Sequence, residues 1–177
     1  TLRLEDGYWY IPGAPEGDDL DRWLWARIYP PSQPQATHTF SLANLPGSGG
    51  TASLKGAFLG RFASDTSPDH HVQVYLNGHL VEDAKWDGLN WYTMDVSFPQ
   101  SHLKEGQNTI QVVGPNDLGV GVDLFLDDWY ELVYWDAFVA EGDVLAFAGA
   151  GSGTWEYRIS GYGTGQVSAF DVTDPER

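Results

Sequence analysis

The residues that could do chemistry in this chain are carboxylates and flat aromatic rings. It carries 25 Asp and Glu against 9 Lys and Arg, with 5 His, 8 Trp and no Cys. Of these acids, the most informative by position is Asp128, within Gly121 to Asp136 (GVDLFLDDWYELVYWD). In a period-2 reading, Val122, Leu124, Leu126, Tyr130, Leu132 and Tyr134 share one side. Asp123, Phe125, Asp127, Trp129, Glu131, Val133 and Trp135 share the other. Such alternation predicts a long strand with one face in a core. Asp128 falls in register with the apolar row, where an unpartnered carboxylate costs several kcal/mol or is forced neutral. Either the strand bulges there, or Asp128 has a specific partner such as a cation.

The other candidates are weaker. His70-His71 beside Asp69 invites a metal reading, but no spaced partner set accompanies them, and a pair at a strand edge is the simpler expectation. Sugars stack on aromatic rings with carboxylates or amides nearby. Trp91 with Asn90 and Tyr92, Trp86 with Asp87, and the loop aromatics Tyr8 and Tyr10 are candidates for that role. Taken singly, each is a packing residue first.

Several classes are excluded or unsupported. A net charge of -16 repels nucleic acid. With no Cys there is no disulfide, thiolate metal site or cysteine nucleophile. No Ser-His-Asp motif or glycine-rich phosphate loop stands in a recognisable context. Pairs of acids at glycosidase spacing arise by chance among so many, so they are no sign of catalysis. The chain is therefore read as not an enzyme. No run of 18 apolar residues exists that would span a membrane. The start at Thr1 and the connector-like ending DVTDPER are read as a processed protein or part of a longer one.

The elements that must position these groups are strands. Aromatic richness (14%), 21 Gly, 10 Pro and no long amphipathic stretch predict an all-β sandwich. Expected strands begin with Leu2 and Leu4, then the short aromatic Tyr8–Ile11. Ala14 to Asp21 is an acidic loop, and Arg22 to Tyr29 reads as a strand or a buried turn. Thr37–Leu42 follows with Phe40 and Leu42 inward, and then Thr51–Phe62 with Gly56 and Gly60 interrupting its inward row. Asn77-Gly78 in His71–Trp86 supplies a type I′ hairpin turn. Trp91–Phe98 places Tyr92, Met94, Val96 and Phe98 inward, and LKEGQNTIQV forms a leucine-pinned corner entering a strand. After Phe138 the texture changes. Asp143–Ala148, Thr154–Ile159 and Gln166–Val172 read as short strands of a small C-terminal extension. The expected division is 1–137 for a jelly-roll-type antiparallel β-sandwich and 138–177 for a β-rich extension and connector.

Two resemblances add to this. The early Leu4-Glu5-Asp6 piece and the late Leu126-Asp127-Asp128-Trp129-Tyr130-Glu131-Leu132 piece resemble jelly-roll carbohydrate-binding modules and galactose-binding-like domains. In those, an acid of the first strand and an aspartate of the last hold a structural Ca²⁺. By motif these map to Glu5 and Asp128, with Asp6 or Asp127 completing the set. The order HHVQVYLNGHLVEDAKWDG, LKEGQNTIQVVGPND, FLDDWYELVYWDAFVAEGDVLAF and AFDVTDP is similar to the non-catalytic sandwich of secreted gingipain-like cysteine peptidases. That resemblance covers roughly Glu5 to Pro175. It implies an extracellular accessory domain whose partner is a downstream catalytic domain of the same polypeptide, since the catalytic cysteine cannot lie here. The alternative is a calcium-stabilised carbohydrate-binding module whose partner is a glycan, contacted through Trp91, Trp86, Tyr92 and Tyr8.

Overall fold

The computed structural model describes residues 1–15, 22–47, 49–149 and 151–172, so most of the acidic Ala14–Asp21 loop lies outside the described residues. The chain divides into two compact units, Thr1–Trp135 and Asp136–Arg177. The strands of the first unit, in chain order, are β1 (Leu2–Glu5), β2 (Trp9–Tyr10), β3 (Trp23–Leu24) and β4 (Ala26–Ile28). They continue with β5 (Gln35–Leu42), β6 (Thr51–Gly60), β7 (His70–Leu76), β8 (His79–Trp86), β9 (Trp91–Pro99), β10 (Gly106–Val113) and β11 (Phe125–Val133). All pair antiparallel. One sheet runs β1-β11-β6-β9 with β4 also on β11, the other runs β5-β10-β7-β8, and β2-β3 forms a small third ribbon. From β8 onward the chain changes sheet at every connection, which is jelly-roll wiring.

Period-2 rows build the core. Phe40 and Leu42 face Ala52, Leu54, Phe58, Met94 and Phe98 across the sandwich, with Val72, Val74, Leu76, Ile110 and Val112 in the second sheet. The β7–β8 turn has Asn77 at φ 49° and Gly78 at φ 84°, as a type I′ turn needs. The leucine-pinned corner is a single helical turn, Gln100–His102, followed by buried Leu103. Asn108 is fully buried because its side chain replaces missing backbone partners there. Its Oδ1 accepts from Lys104 N (2.9 Å), and its Nδ2 donates to Lys104 O (2.8 Å) and Gly106 O (2.9 Å).

The organising strand does not keep one phase. β11 pairs with β6 as Asp127↔Phe58 and next as Tyr130↔Gly56, so Asp128 and Trp129 together oppose the single residue Ala57. This is a bulge, the first of the two explanations for the misplaced acid. Before it, Phe125 and Asp127 point into the sandwich; after it, Tyr130 and Leu132 do. The expected inward row is corrected accordingly. Leu126 instead joins Leu24, Leu59 and Ala14 in a separate cluster beneath the β2–β3 ribbon, with Ile11 and Trp91 against it.

In the second unit, the three expected strands do not form. β pairing among its described residues is limited to isolated bridges, Val139↔Ser160 and Glu141↔Val144. At Ser160 the backbone runs parallel to Val139 for a single bridge, and at Gly161, whose φ is 86°, a Cβ would stand 2.6 Å from Ala140 O. Phe138, Phe147 and Tyr157 pack their rings at 4.8–5.5 Å and make the small aromatic centre of this unit.

Gly60 sits at the tightest approach in the first unit. A Cβ there would collide with Gly88 O and stand 2.6 Å from His70 Nε2. Gly60→Ala is expected to destabilise by about 2 kcal/mol in urea unfolding, as overpacking does. Gly47→Ala, in open space, should leave the midpoint unchanged.

Candidate functional site

Three clusters bring together the groups capable of chemistry. The first is centred on Asp127, which is fully buried. Its Oδ1 accepts from Ala26 N (2.7 Å), and its Oδ2 accepts from Tyr130 OH (2.9 Å) and from His38 Nε2 (2.6 Å). His38 belongs to the opposite sheet, so this pair crosses the core. The Trp25 ring covers the imidazole at 3.7 Å. Burial, and then the Asp127 charge and hydrogen bond, push the Tyr130 phenol well above its ordinary pKa. With both oxygens occupied, Asp127 is a structural anchor.

The second cluster is His70-His71. Both are buried, on a strand flanked by β10 and β8, so they are not the strand-edge pair expected. His70 Nδ1 lies 2.8 Å from Asp123 Oδ1 and its Nε2 3.0 Å from Phe62 O and Gly88 O. His71 Nδ1 lies 2.7 Å from Asp117 Oδ1 and its Nε2 3.0 Å from Asp83 Oδ1. The carboxylates stand on opposite nitrogens of one ring, so they cannot chelate an ion together with it. No group of three or more potential metal ligands converges among the described residues.

The third is exposed. β2 and β3 pair Tyr10 with Trp23, whose rings lie 5.1 Å apart, and Tyr8, just before β2, donates its backbone N–H to Leu24 O (3.0 Å). Tyr8, Tyr10 and Trp23 are 67%, 50% and 48% exposed, while Leu24 on the other face is buried against Leu59 and Leu126. The ribbon is held from below and displays aromatic rings above. Gly7 permits this, since a Cβ there would meet Trp23 Cβ at 2.9 Å. A hydrogen bond from Tyr8 to Asp6, and then the Asp6 charge, raise the Tyr8 pKa.

The proposed ligand residues separate. Tyr8 lies just before this ribbon. Trp86, 9% exposed, is a core residue stacked among Tyr92, Phe58, Phe125 and His70, and offers no ring face to a sugar. Tyr92 is half-buried and donates its hydroxyl to Glu82 (2.9 Å). Trp91 packs under the ribbon and donates its indole N–H to Pro15 O (3.1 Å). The proposed calcium residues lie near one another in the register, since Glu5 pairs opposite Trp129, the residue after Asp128. Asp127 is committed to protein groups, and Asp6 accepts from Gly7 N (2.9 Å). Glu5 pairs with Arg3 at 2.9 Å, and that guanidinium also lies 4.0 Å over the Trp129 ring. Asp128 is buried beside the bulge. Arg3 supplies a cation at Glu5, and among the described residues no group of three or more acids converges as a calcium ion, with its six to eight oxygens, would need.

Two contributors were not singled out from sequence. His38 shares the parity of Phe40 and Leu42, which was the signal for its inward position. Trp23 and Trp25 stand two residues apart, but the chain breaks strand at Trp25, and Trp23 meets Tyr10 while Trp25 covers His38.

No family model and no curated protein matches the chain. Solved structures do. Dimeric latent PorU from Porphyromonas gingivalis is 13% identical with a TM-score of 0.48, over 61% of this chain and 10% of that one. A family 36 carbohydrate-binding module in complex with calcium and xylotriose is 15% identical with a TM-score of 0.44, over 75% of this chain and 99% of that one. A family 35 carbohydrate-binding module from Clostridium thermocellum is 14% identical with a TM-score of 0.36, over 57% and 70%. Both kinds of protein that the sequence resembles are thus among its structural neighbours. This chain spans about a tenth of PorU, and at these values the likeness assigns no residue a role. No helix among the described residues is long and apolar enough to cross a membrane.

Asp127→Ala is expected to cost about 3–5 kcal/mol in chemical unfolding, because it strands His38 in the core. Asp95→Ala, at the exposed pair with Lys55, should cost under about 1 kcal/mol.

Proposed function

We propose that this chain is a non-catalytic accessory β-sandwich whose work is binding, and that its contact surface is the aromatic face of the β2–β3 ribbon. One observation carries this reading. Tyr10 and Trp23 stand exposed together on a ribbon anchored by Leu24, with Tyr8 exposed just before it, while the buried Asp127, His38, His70 and His71 are bonded to one another, to further aspartates and to backbone groups. Clustered exposed aromatics mark interaction sites, because a monomer otherwise gains by hiding them. A neutral glycan is the ligand class favoured. Sugar rings present flat C–H faces to aromatic rings, Asp6 offers an acceptor beside Tyr8, and a net charge of -16 disfavours anionic polymers.

A second reading is favoured by a separate observation. The second unit exposes Phe170 (82%) and Val172, apolar surface of the kind a neighbouring domain covers. This suits an accessory role in an extracellular multidomain protein, of the gingipain-like type, packing on or positioning a catalytic domain.

Retardation of the chain in native gels cast with neutral soluble polysaccharides tests the first reading. Tyr10→Ala and Trp23→Ala are each expected to weaken binding about tenfold, roughly 1.4 kcal/mol, and Val133→Ala to have no effect. Equal retardation of all variants, or none of the wild type by any neutral polysaccharide, would refute it.

A further inference from the structure

All neighbours of the His70 ring nitrogens accept hydrogen bonds. Nδ1 faces Asp123 Oδ1, and Nε2 faces Phe62 O and Gly88 O, with Asp69 Oδ1 at 3.6 Å. A neutral imidazole has one N–H, so it would set a bare lone pair against a carboxylate or two carbonyls in a fully buried site. Only the imidazolium satisfies both sides. His71 repeats the arrangement with Asp117 and Asp83, and its backbone N–H reaches the second oxygen of Asp123 at 3.4 Å.

These acceptors belong to three separate connections. Phe62 and Asp69 lie between β6 and β7, Gly88 between β8 and β9, and Asp117 and Asp123 between β10 and β11. Asp69 ties the first two again, its Oδ1 accepting from Gly88 N and its Oδ2 from Ser64 N, both at 2.8 Å. The bare backbone of Gly60 leaves the space through which Gly88 O reaches the ring. The aromatic rings against His70, Trp86 at 4.9 Å and Phe125 at 6.3 Å, carry no charge. The charged groups facing the pair are Asp69, Asp123, Asp117 and Asp83, with Lys85 acting on the last two.

We propose that His70 and His71 are a proton-held clamp. The His70 imidazolium locks the β6–β7, β8–β9 and β10–β11 connections together, with His71 adding its bonds to Asp117 and Asp83, and loss of the His70 proton releases these connections while both sheets stay folded. Burial alone would lower the His70 pKa, but the Asp123 hydrogen bond and charge, the Asp69 charge and the Phe62 carbonyl outweigh it, and the net direction is upward. The His70 contribution is therefore complete below the ordinary histidine value, roughly pH 6.5, and is lost as pH rises through the raised folded value. Hydrogen bonds from His71 hold Asp117 and Asp83 low. Its half of the clamp is therefore in place above about pH 4 and is lost as pH falls through the depressed values. The clamp is closed in mildly acidic medium and opens toward alkaline pH.

Amide exchange of the intact chain, followed by NMR from about pH 5 to pH 9 and normalised for intrinsic rates, tests this. Ser64, Gly88 and His71, whose amides donate into the clamp, should lose protection about tenfold per pH unit above the His70 pKa. Ile110 and Val112 in β10 should not change, and His70→Gln should flatten the dependence. Flat protection in the wild type would overturn the proposal. If His70→Gln does not fold, the imidazole ¹⁵N shifts of the wild type decide: two N–H groups on His70 at about pH 7 uphold it, and one overturns it.

Discussion

The sandwich depends on how one carboxylate is satisfied. β11 has β6 on one side along its length, but its other side is shared: β4 pairs Phe125–Asp127 and β1 pairs Trp129–Leu132. Asp127 stands at that handover. The bulge gives the chain the extra residue needed to pass from one partner to the other, and it turns the Asp127 side chain inward. There it accepts from Ala26 N on the incoming strand and reaches His38 in the facing sheet. One side chain thereby registers β4, supports Tyr130 and ties the two layers. Its burial is tolerable only because three donors converge on it.

The same economy governs the other buried ionisable groups. Asp69, Asp123 and the two histidines of β7 neutralise one another and cap backbone groups at one end of the sandwich. The depression lined by Leu45, Pro46, Gln100 and Leu103 has no ionisable side chain on its wall. On the surface, the ribbon shows rings that a core would normally take.

Much of the fold was legible because period-2 rows and turn chemistry are local. The Asn77-Gly78 hairpin, the inward rows of β5, β6 and β9 and the Leu103 corner all follow from neighbours in sequence. The phase of β11 did not, because a bulge set by two different partner strands leaves no local mark. Asp128 is buried as the alternation implies, but the bulge sets a second buried acid, Asp127, beside it. His70-His71 misled for a related reason: Asp117 and Asp123 are brought near only by the β10–β11 connection, while Asp83 comes from the hairpin partner β8. In the second unit, β-forming residues in Gly-rich company read as strands, yet pairing among its described residues stops at isolated bridges. Of the aromatic site, Tyr8 and Tyr10 were accessible from sequence, but Trp23 was not. It joins them only through the β2–β3 register.

The central claim, that the chain binds through this ribbon, is tested most directly by titrating neutral oligosaccharides against the indole N–H resonances of the eight tryptophans. Ligand should shift the Trp23 signal saturably and leave those of Trp86 and Trp129, buried in the sandwich, in place. Saturable shifts elsewhere with Trp23 unmoved would contradict the account.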